Sequence, residues 1–430
     1  MNDTAFHVKE NAAVGERYAY KKHKSGLDIY VIPKPFSTAY AILGTRYGSV
    51  DNRFKRKADR EFTIVPDGIA HYLEHKMFEN EDGTDTFARF AQTGANANAF
   101  TGFDMTAYLF SCTENFDASL DILLDYVTHP YFTPENVQKE QGIIAQEIRM
   151  EEDTPGNALM FSLLRAMYEK HNVRLEIAGT TESISHINAD LLYRCYRTFY
   201  NLRNMALCVC GNITPEQVEA ACDRVLTEAE PFDSISEQPD ERETVFMRRT
   251  ERHMQVSQPM FAIGIKDIHI SRDPRERMKK SAAIQILGNM LFGQSGTFFN
   301  HLYSQGLLSG PLGIWGEHNR SYSFLAIDGE SNDPDTVFAR FEAFVGQTRS
   351  QGLDREEFMR SRRSFYAQFL KDFDSTAEIA NNFLRYAFDG GDMFDYADII
   401  GNMTFEEADA VFRDLFRTEH FALSVVSPQS

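Results

Sequence analysis

The stretch Gly68-Ile69-Ala70-His71-Tyr72-Leu73-Glu74-His75-Lys76-Met77-Phe78 sets the reading of the whole chain, because it gathers two imidazoles and a carboxylate within five residues. Along a helix, His71 and His75 stack one turn apart, and Glu74, three after His71, falls on nearly the same face. Two imidazoles so placed can grip one cation. A catalytic zinc takes three protein ligands and keeps a fourth position open for water, whose proton a neighbouring carboxylate removes as it attacks a carbonyl. The order H-x-x-E-H reverses the H-E-x-x-H of many zinc peptidases. In a chain with 12 histidines five residues can match by chance, so the reading turns on a third ligand.

Working outward, Arg17-Tyr18-Ala19-Tyr20-Lys21, Leu27-Asp28-Ile29-Tyr30-Val31-Ile32-Pro33 and the run from Ala39 to Gly48 read as strands of a twisted sheet, rich in aromatic and β-branched residues. Pro66 and Asp67 then predict the start of a helix that buries Ile69, Tyr72, Leu73 and Met77 against that sheet. Residues 86–92 read as a second short helix. The small alternating residues from Ala95 to Ala99 read as an exposed sheet edge, to which an extended peptide can add by backbone hydrogen bonds; an ordinary hairpin is the alternative. After a helix over residues 115–127, Thr133-Pro134-Glu135 caps another that carries Val137, Ile143, Ile144 and Ile148. On it Glu140 and Glu147 stand seven apart, two turns on one face, and either is a candidate third ligand. Further helices are predicted over residues 163–170, 190–200 and 214–229.

Length and composition bound the class. A chain of 430 residues, 43% apolar, exceeds a single core and predicts two domains, 1–229 and 246–430. Residues 230–245, acidic and carrying Pro231 and Pro239, have a linker's composition. A net charge of −19 argues against nucleic acid, for which a basic face is expected. Residues 1–10 lack a basic start and apolar core, and no run approaches the ~18 apolar residues of a membrane span, so the expectation is a cytoplasmic protein with no membrane role. Cys208 and Cys210, on one face of an apolar strand, read as buried free thiols.

The two halves repeat. Tyr196-Arg197-Thr198-Phe199-Tyr200 before Asn204-Met205-Ala206-Leu207 matches Phe412-Arg413-Asp414-Leu415-Phe416 before His420-Phe421-Ala422-Leu423. Likewise Phe132-Thr133-Pro134-Glu135 matches Leu353-Asp354-Arg355-Glu356, and Thr106-Ala107-Tyr108 matches Ser321-Tyr322-Ser323. That register sets Glu140 opposite Ser361 and Glu147 opposite Gln368, and no histidines four apart follow residue 245, so the second domain cannot hold the metal.

Three separated motifs, His71-Tyr72-Leu73-Glu74-His75, Asn98-Ala99-Phe100-Thr101-Gly102-Phe103-Asp104-Met105-Thr106-Ala107-Tyr108 and Glu140-Gln141-Gly142-Ile143-Ile144-Ala145-Gln146-Glu147, together resemble the pitrilysin/insulinase family of zinc metallopeptidases, the inverzincins, and bacterial processing-peptidase-like members in particular. The resemblance implies an α+β fold of two homologous domains, each a mixed β-sheet covered by helices on one face, forming half of a clam-shell chamber. It implies one Zn2+ per chain held by His71, His75 and Glu147, Glu74 as general base, Glu140 orienting a histidine, and Asn98, Ala99, Phe100 and Thr101 pairing with a peptide substrate. The implied activity is a zinc-dependent endopeptidase acting on oligopeptides or short unfolded segments; the alternative is an assembly subunit with a relict zinc site. The family's solitary members carry an arginine and a tyrosine in the second domain, and here Tyr303 and Ser309 stand in those places. The chain therefore resembles the zinc-bearing half of a pair, implying a homologous non-zinc subunit as partner, with a homodimer as the fallback.

Overall fold

The strands read at the start of the chain join later ones in a single mixed sheet. The structure, a computed structural model, describes residues 5–429. Its first ten strands are β1 (His7–Asn11), β2 (Glu16–Lys22), β3 (Asp28–Pro33), β4 (Ala39–Thr45), β5 (Arg53–Arg56), β6 (Thr63–Ile64), β7 (Asn96–Thr101), β8 (Thr106–Cys112), β9 (Met205–Gly211) and β10 (Ser234–Ser236). Seven form one sheet in the order β1-β2-β3-β9-β4-β8-β7, in which β3 and β9 run parallel and β7 lies at an edge. The other three form a small sheet, β10-β5-β6. Part of the acidic linker is thus strand, held on β5 by the register Ser234↔Arg56 and by an Arg53–Glu237 ion pair at 2.5 Å.

Helices α1 (Ile69–Lys76), α2 (Thr86–Thr93), α3 (Phe116–Thr128) and α4 (Pro134–Glu152) follow in the order the periodicity predicts. The start of α1 differs. Pro66 and Asp67 precede the helix, and Gly68 takes the cap position at φ 89°. Only glycine fits there, since a Cβ would meet the Ala178 carbonyl oxygen at 2.3 Å. The cap at Thr133 is as read, its Oγ1 accepting from the Asn136 N–H at 3.2 Å.

The second sheet orders β11 (Arg249–Met254), β12 (Met260–Asp267), β13 (Gly313–His318), β14 (Ser323–Glu330) and β15 (Phe421–Pro428) as β11-β15-β12-β14-β13. It repeats the first in outline, a long hairpin ending in an edge strand. The hairpins align two residues later than the sequence match: Thr101 pairs with Thr106 and His318 with Ser323, so Ser323 rather than Ser321 is the counterpart of Thr106.

Packing trades segments between the halves. One compact unit comprises the chain through Ile148, Leu175–Gln238 and Leu370–Phe394; the other comprises Arg149–Arg174, Pro239–Phe369 and the chain from Asp395. In the first unit, the β4 residues Ala39, Ala41 and Leu43 join the core with the buried residues of α1 and α3. On the opposite face, Gly44 makes room for Leu384 and Phe388 of the helix Thr376–Asp389. The reciprocal helix is α5 (Pro155–Met167), whose Leu163 and Met167 pack over Gly264 of β12. It begins at Pro155 and ends before Tyr168, earlier at both ends than the predicted 163–170, because proline suits the first helical turn and the buried Tyr168 hydroxyl donates to the Ser323 carbonyl at 2.9 Å. Each sheet thus carries its own half's helices on one face and one traded helix on the other.

Candidate metal centre

Tyr72 and Leu73 of α1 are fully buried, and Tyr72 and Lys76 reach α4. Two polar ties fix that approach. The Tyr72 hydroxyl donates to the Val137 carbonyl, and the Lys76 ammonium, itself wholly buried, donates to the Asn136 carbonyl at 3.1 Å and pairs with Glu79 at 2.8 Å. An unpaired buried lysine is costly, so these partners pin α1 to the first turns of α4.

The predicted ligands meet across that contact. His71 Nε2 lies 3.6 Å from Glu147 Oε1, and His75 Nε2 lies 3.4 Å from Glu147 Oε2. Among the described residues, His71, His75 and Glu147 are the group of three whose ligand atoms all fall within 4.8 Å of one another. Bonds of about 2.0–2.2 Å from one ion to nitrogen and oxygen reach atoms so spaced. Glu140 was the other candidate. It sits behind the cluster instead, its Oε1 3.0 Å from His75 Nδ1, which leaves Nε2 of that ring facing Glu147.

Electrostatics follow the geometry. Burial raises the Glu74 carboxyl above its ordinary value, against the opposing hydrogen bond from Thr101 and the neighbouring histidines. Burial pulls His75 down, but the hydrogen bond with Glu140 and the charges of Glu74 and Glu147 outweigh it, so the net shift is upward. Glu140 is lowered by its bond to His75, and Glu147 by its bond to His71. A compact group of mutually stabilising acids and imidazoles could hold a metal ion.

The predicted peptide strand lies beside it. In β7, Asn98 and Phe100 are exposed while Ala99 and Thr101 turn inward, and the outer edge of β7 has no strand beyond it among the described residues. A cavity of about 600 Å³ opens between this strand and α1, lined by Glu74, His75, Phe78, Phe87, Asn98 and Glu140. Phe78 and Phe87 form its aromatic wall, with ring centroids 4.5 Å apart and planes 6° from parallel. Sequence periodicity gave no signal for that wall. It also missed the Thr101 hydroxyl, 2.6 Å from Glu74 Oε2, for which strand parity was the only available clue.

Elsewhere, Tyr303 is exposed and stacks on Phe299 at 5.4 Å, and the Ser309 hydroxyl accepts from Gln258. All five cysteines are free and buried. Among the described residues no helix is long and apolar enough to cross a membrane.

Residues 65–181 match the family model described as Insulinase (Peptidase family M16), and residues 186–365 match that of the Peptidase M16 inactive domain. The chain is 37% identical over 423 residues to the uncharacterised zinc protease YmfH of Bacillus subtilis, covering 96% of this chain and 97% of that one. A crystal structure of an M16-like peptidase from Alicyclobacillus acidocaldarius superposes with a TM-score of 0.92 at 33% identity, over 99% of both chains. Similarity to the mitochondrial-processing peptidase subunit beta of Caenorhabditis elegans is 30% over 179 residues, 40% of this chain and 38% of that one.

Proposed function

The chain belongs to the insulinase family of peptidases, and from that premise we propose that it is a zinc-dependent endopeptidase cutting oligopeptides or short unfolded segments, and the zinc-bearing subunit of a pair. The observation that carries this reading is the convergence of His71, His75 and Glu147 within 4.8 Å, with Glu74 one residue before His75. Two neutral imidazoles and a carboxylate are the donor set of a catalytic zinc. A zinc ion bound there would polarise the scissile carbonyl and acidify a water molecule.

The remaining chemistry belongs to the chain's own residues. Glu74, with its carboxyl raised by burial, accepts the proton of the attacking water and returns it to the departing amine. Glu140 holds the His75 ring through Nδ1, so that Nε2 would be the nitrogen offered to the ion. The outer edge of β7 receives the substrate backbone as an added strand, which a folded protein cannot offer.

Pairing is proposed from what the second half lacks. Tyr303 and Ser309 supply no cation, and losing one oxyanion donor typically costs about 10²–10³ in rate. A homologous non-zinc subunit would restore the donor, and a relative named as a subunit beta supports that arrangement; a homodimer is the fallback. The deciding experiment measures zinc content and hydrolysis of a fluorescence-quenched peptide by the purified chain, with and without a homologue lacking H-x-x-E-H. The expected result is stoichiometric zinc, weak chelator-sensitive cleavage alone and stronger cleavage together. Stoichiometric zinc with no cleavage in either mixture would favour an assembly subunit with a relict site.

A further inference from the structure

Edge strand β7 presents two different faces. Asn96, Asn98 and Phe100 point outward, whereas Ala97, Ala99 and Thr101 point toward the body of the unit. Ala97 and Ala99 pack on the hydrophobic core. Thr101 therefore brings the one hydroxyl on that inner face.

That hydroxyl has a single proton, and its neighbours settle where it goes. Across the ladder, Thr106 Oγ1 lies 3.4 Å away but donates its own proton to the Tyr47 carbonyl at 2.9 Å. Thr101 Oγ1 lies 2.6 Å from Glu74 Oε2 and donates there. Among the described residues it is the only side chain that donates to this carboxylate. A glutamate has three side-chain torsions, and the bond removes the freedom of the last of them while leaving Oε1 open to take a proton.

We infer that Thr101 is a positioning residue, which fixes the Glu74 carboxylate and ties its alignment to occupancy of the β7 edge. The same residue ends the strand to which a peptide adds and anchors the carboxylate that works on that peptide. A substrate strand paired along β7 steadies the Thr101 backbone and, through its hydroxyl, Glu74. Register on the strand and readiness of the base then arise together. The inference rests on the reading of Glu74 as the base.

The test uses the zinc-loaded full chain, with its partner subunit where activity requires one, and a short fluorescence-quenched peptide. Thr101→Val keeps the β-branched shape and removes the donor; Thr101→Ser keeps the donor. The expected result for Thr101→Val is a kcat about tenfold lower with KM within about twofold and zinc content unchanged, while Thr101→Ser returns kcat to within about threefold of the parent. Thr101→Ala is expected to reproduce the kcat loss, should valine disturb the fold. A Thr101→Val protein with the parent's kcat overturns the inference and leaves the peptidase reading standing. A loss of zinc, or a serine variant as slow as valine, overturns it by making the role structural. A zinc-loaded parent without hydrolysis removes the peptidase reading, and this inference with it.

Discussion

The corner that α1 and α4 build in the first unit has a counterpart in the second, where Gln285 and Asn289, four apart on the helix Pro274–Phe292, share a cavity of about 960 Å³ with Ser361 and Gln368, seven apart on Arg355–Lys371. The repeat sets Ser361 and Gln368 opposite Glu140 and Glu147, and Gln285 and Asn289 share the four-residue spacing of His71 and His75. None of these four is an imidazole or a carboxylate, the donors a zinc ion favours, although Glu357 lines the same cavity. Gly288 follows Gln285 by three, as Glu74 follows His71, and a Cβ on Gly288 would meet Ile314 Cγ2 at 2.9 Å. The second corner keeps two facing helices and an edge strand but brings no carboxylate to that spacing on its first helix. Two corners of like spacing thus differ in chemistry, and five side chains mark the difference.

Mutations can press on that difference, beginning with the largest effect. His71→Ala or Glu147→Gln is expected to reduce zinc from one per chain to near none, read by elemental analysis; stoichiometric zinc in either would dismantle the ligand assignment. The converse graft, Gln285→His with Asn289→His and Gln368→Glu, is expected to raise zinc uptake without adding hydrolysis, because Gly288 still offers no base. Next comes Glu74→Gln, expected to retain zinc and fold while peptide cleavage drops by about 10²–10⁴. A loss under tenfold would remove Glu74 from the chemistry. Glu140→Gln is expected to weaken zinc about 10- to 100-fold in a chelator competition, since it would loosen the His75 ring. An unchanged affinity would demote Glu140 to an ordinary buried acid.

The smallest effect concerns stability, and it shows what buried ionisable groups do in the second unit. Glu241 accepts backbone N–H groups of Glu169, Lys170 and His171 and pairs with the buried Lys266 at 3.1 Å. Burial opposes its ionisation, but those donors win and hold its carboxyl at about 2. Burial holds the nearby His171 at about 4, below its ordinary 6.5. Below pH 6.5 the unfolded chain binds a proton that folded His171 refuses, so stability should fall between pH 6.5 and 4 by on the order of 3 kcal/mol. Glu241 adds a second loss, from its ordinary 4.5 down to about 2. Thermal melts of His171→Gln should lack the first slope; an unaltered slope would assign it to other groups.

Much of the geometry of the candidate site was legible because helical spacing is rigid. His71, Glu74 and His75 needed only the 3.6-residue turn, and the alternation of Ala97, Ala99 and Thr101 needed only strand parity. The choice of Glu147 over Glu140 was not legible from spacing, since both share a face of α4; it depends on how far α1 sits along that helix, which Tyr72 and Lys76 set through tertiary contacts. The start of α1 was misread for a related reason. Proline and aspartate are local start signals, whereas the close approach of Ala178 that demands Gly68 comes from more than 100 residues away. The repeat was visible in the closing helix and strand, and slipped by two residues in the hairpin, where aromatic runs align in more than one register.

The traded helices have a consequence for the chain as a covalent object. A protease that nicked the connection between Gln238 and Val245 would leave each unit still owning a piece of the other fragment: α5 would stay with the sheet of the second unit, and Thr376–Asp389 with the sheet of the first. Such a protein would run as two bands in denaturant and as one particle in buffer. Truncations at that connection would fare worse, each exposing the apolar face its missing helix had covered, and a single half is expected to lose solubility.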